Sequence, residues 1–133
     1  MGREALRVAV IGSGHLGRHH ARILSALDGA RLIAVVDVVR ERAEAAASVA
    51  GARALTDYRD LVGEVDAVTI AVPTELHAEV AVPFLERGTP VLVEKPMTRS
   101  VADADRLLAA ARAGGAVLAV GHTERYNPAV AAV

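Results

Sequence analysis

The sequence predicts an α/β domain built as a doubly wound parallel sheet with strand order 3-2-1-4-5-6. Short apolar runs rich in Val and Ile alternate with stretches of helical periodicity along the chain. The runs are continuous rather than alternating, as strands buried on both faces require. A glycine-rich turn separates the first run from the first helical stretch. With 133 residues, 53% of them hydrophobic, the chain is long enough to enclose one core of its own.

Taken in order, Leu6 to Ile11 is the first strand, and Leu32 to Val36, Ala67 to Val72, Pro90 to Val93 and Ala116 to Val120 repeat its type. A weaker strand falls near Arg53 to Leu55, with a short helix around Asp57 to Val62. Helices are expected over Leu16 to Leu27, Arg40 to Ala50, Thr74 to Arg87 and Val101 to Ala113, with stop signals at Gly29, Gly51, Gly88 and Gly114. Pro83 lies inside the third of the four, where it removes one backbone donor and should kink the helix. Strand and helix in repeated succession demand parallel pairing, right-handed crossovers and helices on both faces.

Composition narrows the function. There is no cysteine, so disulfides and thiolate metal sites are excluded, and no N-terminal leader pattern is present. Apolar runs of about four to eight residues are too short to span a bilayer, so a soluble, cytoplasmic protein without membrane contact is expected. Fifteen cationic side chains face sixteen carboxylates, aromatics total 2%, and no basic stripe is interleaved with them, which argues against nucleic acid.

The first motif is Gly12-Ser13-Gly14-His15-Leu16-Gly17, directly after the first strand and opening the first helix. Gly12 allows a tight turn, Gly14 lets the backbone approach a pyrophosphate, and Gly17 lets helix and strand pack closely. The helix N-terminus then offers N–H groups to an anion. Twenty residues after Gly17, at the end of the second strand, Asp37 can accept hydrogen bonds from adenosine ribose hydroxyls. A ribose 2'-phosphate would meet a like charge there, so NAD is favoured over NADP, with Arg40 as the residue that could soften the discrimination. This is the Rossmann arrangement.

Two further motifs leave strand C-terminal ends, where an open α/β sheet binds its ligand. Ala71-Val72-Pro73-Thr74-Glu75-Leu76-His77 follows one strand and Val93-Glu94-Lys95-Pro96 the next. Lys95 is the only lysine of the chain. An amine can lose its proton where a guanidinium cannot, so Lys95 is a candidate for proton transfer. Pro96 holds Lys95 in an extended conformation. Glu94 points to the opposite side of a continuing strand and need not be the ion-pair partner of Lys95.

These segments, in this order and followed by Gly121-His122-Thr123-Glu124-Arg125-Tyr126-Asn127-Pro128, resemble the glucose-fructose oxidoreductase and inositol dehydrogenase (Gfo/Idh/MocA) family. The resemblance covers essentially the whole chain, and Glu94-Lys95-Pro96 is its most specific element. It implies a catalytic role for Lys95 near the nicotinamide and substrate, and cofactor contacts from Val72, Pro73, Thr74, His77 and Glu94. It also implies a place for Arg125 near the substrate cleft, a sugar-like small-molecule substrate, and a full-length protein that is a homo-oligomer. The ending looks most like members acting on nucleotide-linked amino sugars.

Family members continue into a second α/β domain that carries much of the substrate site. The expectation is therefore a dinucleotide-binding domain over residues 1–121, with 122–133 starting the connection to a substrate domain absent from this chain. The function expected is the nucleotide-binding half of an oxidoreductase that moves hydride between nicotinamide and a secondary alcohol of a sugar, nucleotide sugar or cyclitol. A non-catalytic NAD-binding sensor or interaction module is the alternative. A methyltransferase would share the acid after the second strand but gives no account of Gly17 together with Glu94-Lys95-Pro96. His15 and His19 are spaced i, i+4, but His15 belongs to the phosphate turn and no acid lies between them, so no metal site is expected. His77 reads as structural or cofactor-contacting rather than as a proton relay. The Arg40, Glu41, Arg42, Glu44 cluster reads as a solvated helix face, and Tyr58 and Tyr126 are too isolated to form a stacking platform.

Overall fold

The computed structural model describes residues 4–121, so His122, Arg125, Tyr126 and the expected connection over 122–133 lie outside the described residues. Six parallel strands form one sheet: β1 (Leu6–Ile11), β2 (Ala30–Val36), β3 (Arg53–Leu55), β4 (Ala67–Ile70), β5 (Val91–Glu94) and β6 (Leu118–Gly121). Their order is β3-β2-β1-β4-β5-β6, as the sequence predicts. The helices are α1 (His15–Ala26), α2 (Arg40–Ala47), α3 (His77–Glu86) and α4 (Val101–Gly114). None is long and apolar enough to cross a membrane.

Alternation along the strands sends side chains into two cores. Val8 and Val10 of β1 join Leu32 and Val35 of β2 beneath Ala21 of α1 and Ala46 and Ala47 of α2. Ala9 and Ile11 point the other way, into the larger core with Ile70, Val93, Phe84, Leu85 and Leu107 under α3 and α4. Alanines on α1 and α2 let those helices lie close to the sheet, whereas Phe84 fills the wider gap on the opposite face. On that first face β4 to β6 are less covered: Leu92 is half-buried and Ala119 exposed.

Several element boundaries differ from expectation. β4 stops at Ile70 because the chain turns over the glycine loop; the Ala71 N–H still donates to the Ile11 carbonyl at 2.8 Å. The second helix gives way to a 3-10 turn, Ser48–Ala50, before Gly51 reverses the chain at φ 63°. The third begins as a 3-10 turn, Thr74–Leu76, after which α3 runs from His77 through Pro83 to Glu86. Gly114 is the last residue of α4 rather than its stop. A Cβ there would meet the Leu85 carbonyl oxygen, and Gly115 supplies the left-handed cap at φ 63°.

Candidate cofactor site

The glycine turn is held by close backbone approach. Gly12 has φ +90°, and a Cβ on it would lie 2.7 Å from the Ala71 carbonyl carbon. A Cβ on Gly17 would collide with the Gly12 carbonyl oxygen. Gly14 precedes α1 with nothing within 4 Å of where its Cβ would stand, on the open side where a ligand can approach. No side chain caps α1, and its first turn has no acid, so its leading N–H groups remain available to an anion.

Asp37 is buried at 6% exposure at the end of β2 and is fully engaged. Its Oδ2 accepts from the Ser13 N–H at 2.9 Å and the Ser13 hydroxyl at 3.0 Å. Its Oδ1 accepts from the Val39 N–H at 2.8 Å and from Arg42 Nη2 at 3.1 Å. The sequence reading placed Arg40 near this carboxylate and Arg42 on a solvated face; the structure puts Arg42 on Asp37. Arg42, five residues on from Asp37, turns back over the start of α2 to reach it.

Burial alone would push the Asp37 carboxyl up. The Val39 and Ser13 donors, with the Arg42 charge, overcome that and hold it below its ordinary value. The stability this contributes is fully present above the unfolded carboxylate value of about 3.9 and is lost as pH falls through the lower folded value. Denaturant titrations on acidification below about pH 4 should therefore show a shallower loss of stability for Asp37→Asn than for the wild type. Parallel profiles would remove Asp37 as a source of the acid sensitivity.

A cleft of about 900 Å³ opens over the C-terminal ends of β1, β2 and β4. Gly12, Gly14, His15, Leu16 and Asp37 line one side, and Val72 and Pro73 the other. Ser13 and Gly17 are buried beneath the turn. Thr74, Glu94 and Lys95 do not line this cleft. Lys95 is exposed two residues past Val93, and Val72 lies two residues past Ile70, the register partner of Val93. Lys95 is thus level with Val72 on the neighbouring strand, and among the described residues no carboxylate pairs with its ammonium.

Two of the expected cofactor contacts, His77 and Glu94, are buried. His77 is 1% exposed behind the cleft wall, and both ring nitrogens are engaged by main-chain carbonyls: Nδ1 lies 3.0 Å from Met97 O and Nε2 3.0 Å from Val72 O. Glu94 is 8% exposed, with Oε1 2.7 Å from His20 Nε2. Both side chains turn inward because the unpaired polar groups around them need buried partners. His15 and His19 stack edge to face at 5.1 Å. Residues the sequence reading missed include Arg42, Leu76 and Glu79, together with Tyr58, which lines the cleft and packs near Phe84 with ring centroids 6.4 Å apart. The alternation of apolar and polar positions around Tyr58 is too short to signal this.

The family described as an oxidoreductase family with an NAD-binding Rossmann fold, Gfo/Idh/MocA, matches residues 6–122. The UDP-N-acetylglucosamine 3-dehydrogenase of Acidithiobacillus ferrooxidans is 41% identical over 125 residues, which are 94% of this chain and 39% of that protein. An inositol 2-dehydrogenase of Arthrobacter sp. is 40% identical over 135 residues, covering 98% of this chain and 40% of its own length. The solved structure of the A. ferrooxidans enzyme superposes with a TM-score of 0.89 at 39% identity, over 98% of this chain and 42% of that one. A gentamicin A biosynthesis protein solved in complex with NAD gives 0.88 at 36% identity, over 95% of this chain and 37% of that one. This chain therefore spans about two fifths of the length of the curated relatives it matches. With a glycine cradle, an acid at the end of β2 and this sheet order, the chain belongs to the Gfo/Idh/MocA oxidoreductase family and forms its NAD-binding Rossmann domain.

Proposed function

We propose that this domain binds NAD in preference to NADP within a longer dehydrogenase that oxidises a secondary alcohol of a sugar, nucleotide sugar or cyclitol, or reduces the corresponding ketone. The observation that carries the reading is the buried Asp37 carboxylate hydrogen-bonded to Ser13 of the phosphate turn, which puts a negative charge beside the adenosine ribose position. The Gly12–Gly17 turn and the start of α1 receive the pyrophosphate, and Asp37 exchanges the Ser13 hydroxyl or Arg42 for ribose hydroxyls. Val72 and Pro73 bound the nicotinamide end, with Thr74 following them in the chain. This site, with NAD bound, would have an acceptor for a hydride from the carbinol carbon. Lys95 takes the hydroxyl proton as the alcohol is oxidised and returns it in the reverse direction. The chemistry of this site supports an enzyme over a non-catalytic module, because a sensor has no use for an amine poised at the strand end. A sugar-like small-molecule substrate is supported by the names of the relatives, and a homo-oligomeric full-length protein and a cytoplasmic setting belong to the same proposal.

Calorimetry tests the cofactor reading. NAD should bind this chain more tightly than NADP, and Asp37→Ala should weaken NAD by about ten- to a hundredfold, the loss of hydrogen bonds to a charged group. NADP binding more tightly, or a neutral Asp37→Ala, would reject the ribose role. The same chain mixed with NAD and inositol or UDP-N-acetylglucosamine should form no NADH at enzymatic rates, because substrate positioning and water exclusion need further wall. Enzymatic rates from this chain alone would overturn the division of labour.

A further inference from the structure

We infer that His20 and His77 are positioning residues for Lys95, each fixing the main chain on one side of it from an opposite face of the sheet. The inference rests on the reading of Lys95 as the proton-transfer group. Lys95 itself has no side-chain partner among the described residues, so its aim depends on how its backbone is held.

On the N-terminal side the anchor is Glu94. Its carboxylate takes His20 Nε2 at 2.7 Å with one oxygen and the Lys95 N–H at 3.3 Å with the other. The two side chains are 15% and 11% exposed, sheltered enough for the pair to be geometrically defined. Room for the carboxylate comes from Gly121, its register partner on β6, where a Cβ would stand 3.1 Å from both oxygens. His20 lies on α1, the helix that opens at the phosphate turn. The pyrophosphate cradle and the Lys95 backbone are thereby referred to one rigid element across β4.

On the C-terminal side the anchor is Met97. Its carbonyl and that of Val72 lie outside any strand ladder, and His77, the first residue of α3, meets both at 3.0 Å. The imidazole links the loop leaving β4 to the loop leaving β5, the two loops between which a nicotinamide would lie. A neutral ring donates to one of these carbonyls and an imidazolium to both. Only the imidazolium is hydrogen-bonded to both loops; the neutral ring is bonded to one and rests in contact with the other. α1 packs on one face of the sheet and α3 on the other, so Lys95 is restrained from both sides.

Because Lys95 is the only lysine, a chain labelled with [13Cε]lysine gives one side-chain resonance that reports this amine alone. The probe is NAD, and the variants are His20→Leu, His20→Gln and His77→Phe. In His20→Leu the Lys95 amide should exchange with solvent about tenfold faster, as loss of one sheltered hydrogen-bonded anchor predicts. The NAD-induced shift of the Lys95 resonance should fall below about half its wild-type size, while NAD affinity changes by less than about threefold. His20→Gln, which keeps a donor for Glu94, should recover most of both signals. His77→Phe should show the same losses, with faster exchange also at residues 72–76. A folded His20→Leu chain with wild-type amide exchange and a wild-type shift would overturn the inference, since a merely packing role predicts that result. His20→Leu and His20→Gln decide it even if His77→Phe does not fold. If the wild-type resonance ignores NAD, Lys95's place beside the nicotinamide is lost, and the amide exchange of the variants still decides whether the histidines hold its backbone.

Discussion

Lys95→Arg in the longer protein, with its substrate-binding part present, is expected to lose about 10²- to 10⁴-fold in kcat, the usual contribution of a positioned acid-base group. A guanidinium keeps the positive charge at the end of β5 but cannot act as a base near neutral pH. Lys95→Met should be similarly inactive. NAD affinity should change far less in both, because the glycine turn and Asp37 line the cleft and Lys95 does not. The informative comparison is kcat for the two variants beside their NAD dissociation constants. Substantial turnover with arginine would reduce Lys95 to an electrostatic anchor for the substrate.

The second large effect separates the glycines of one turn. Gly17→Ala must push α1 away from the Gly12 carbonyl and should destabilise the chain by on the order of 3 kcal/mol, with NAD binding lost as the cradle opens. Gly14 has φ −71° and nothing within 4 Å of a built Cβ, so Gly14→Ala should unfold at the wild-type denaturant concentration. Its NAD affinity should nevertheless fall, because the methyl stands where the pyrophosphate approaches. Denaturation and calorimetry on both variants check this. A Gly14→Ala chain that binds NAD normally would move the pyrophosphate off this turn, and a stable Gly17→Ala chain would contradict the close approach.

The sheet was legible because its strands are continuous apolar runs and its order follows from handed crossovers once the glycine turn marks β1. Helix ends were less so. Two glycines stand together at 114 and 115, and only the backbone of Leu85 and Glu86, distant in sequence, decides which of them caps α4. Asp37 was visible from its spacing, yet Arg42 was not, because a cation among alternating charges reads as solvated until the turn of α2 is known. Glu94 and His20 are 74 residues apart and carry no local signal of their pairing. His77 reads from sequence as structural or cofactor-contacting, with nothing local to choose between the two. Its burial between two main-chain carbonyls depends on where β5's loop comes to rest.

The ladder of Val8–Ile11 with Ala67–Ile70 is the seam at which the chain's two halves, β1-β2-β3 and β4-β5-β6, are joined edge to edge. The cleft lies astride that seam, with Gly12 and Asp37 from the first half and Val72 and Pro73 from the second. Whatever fills it touches both halves at once, so occupancy and cohesion are reciprocal: the work needed to part the halves rises by the free energy with which the ligand is held. A dinucleotide held there would in this sense be a clasp, and a loosened seam anywhere along β1 and β4 would be felt as weakened affinity before it was seen as unfolding.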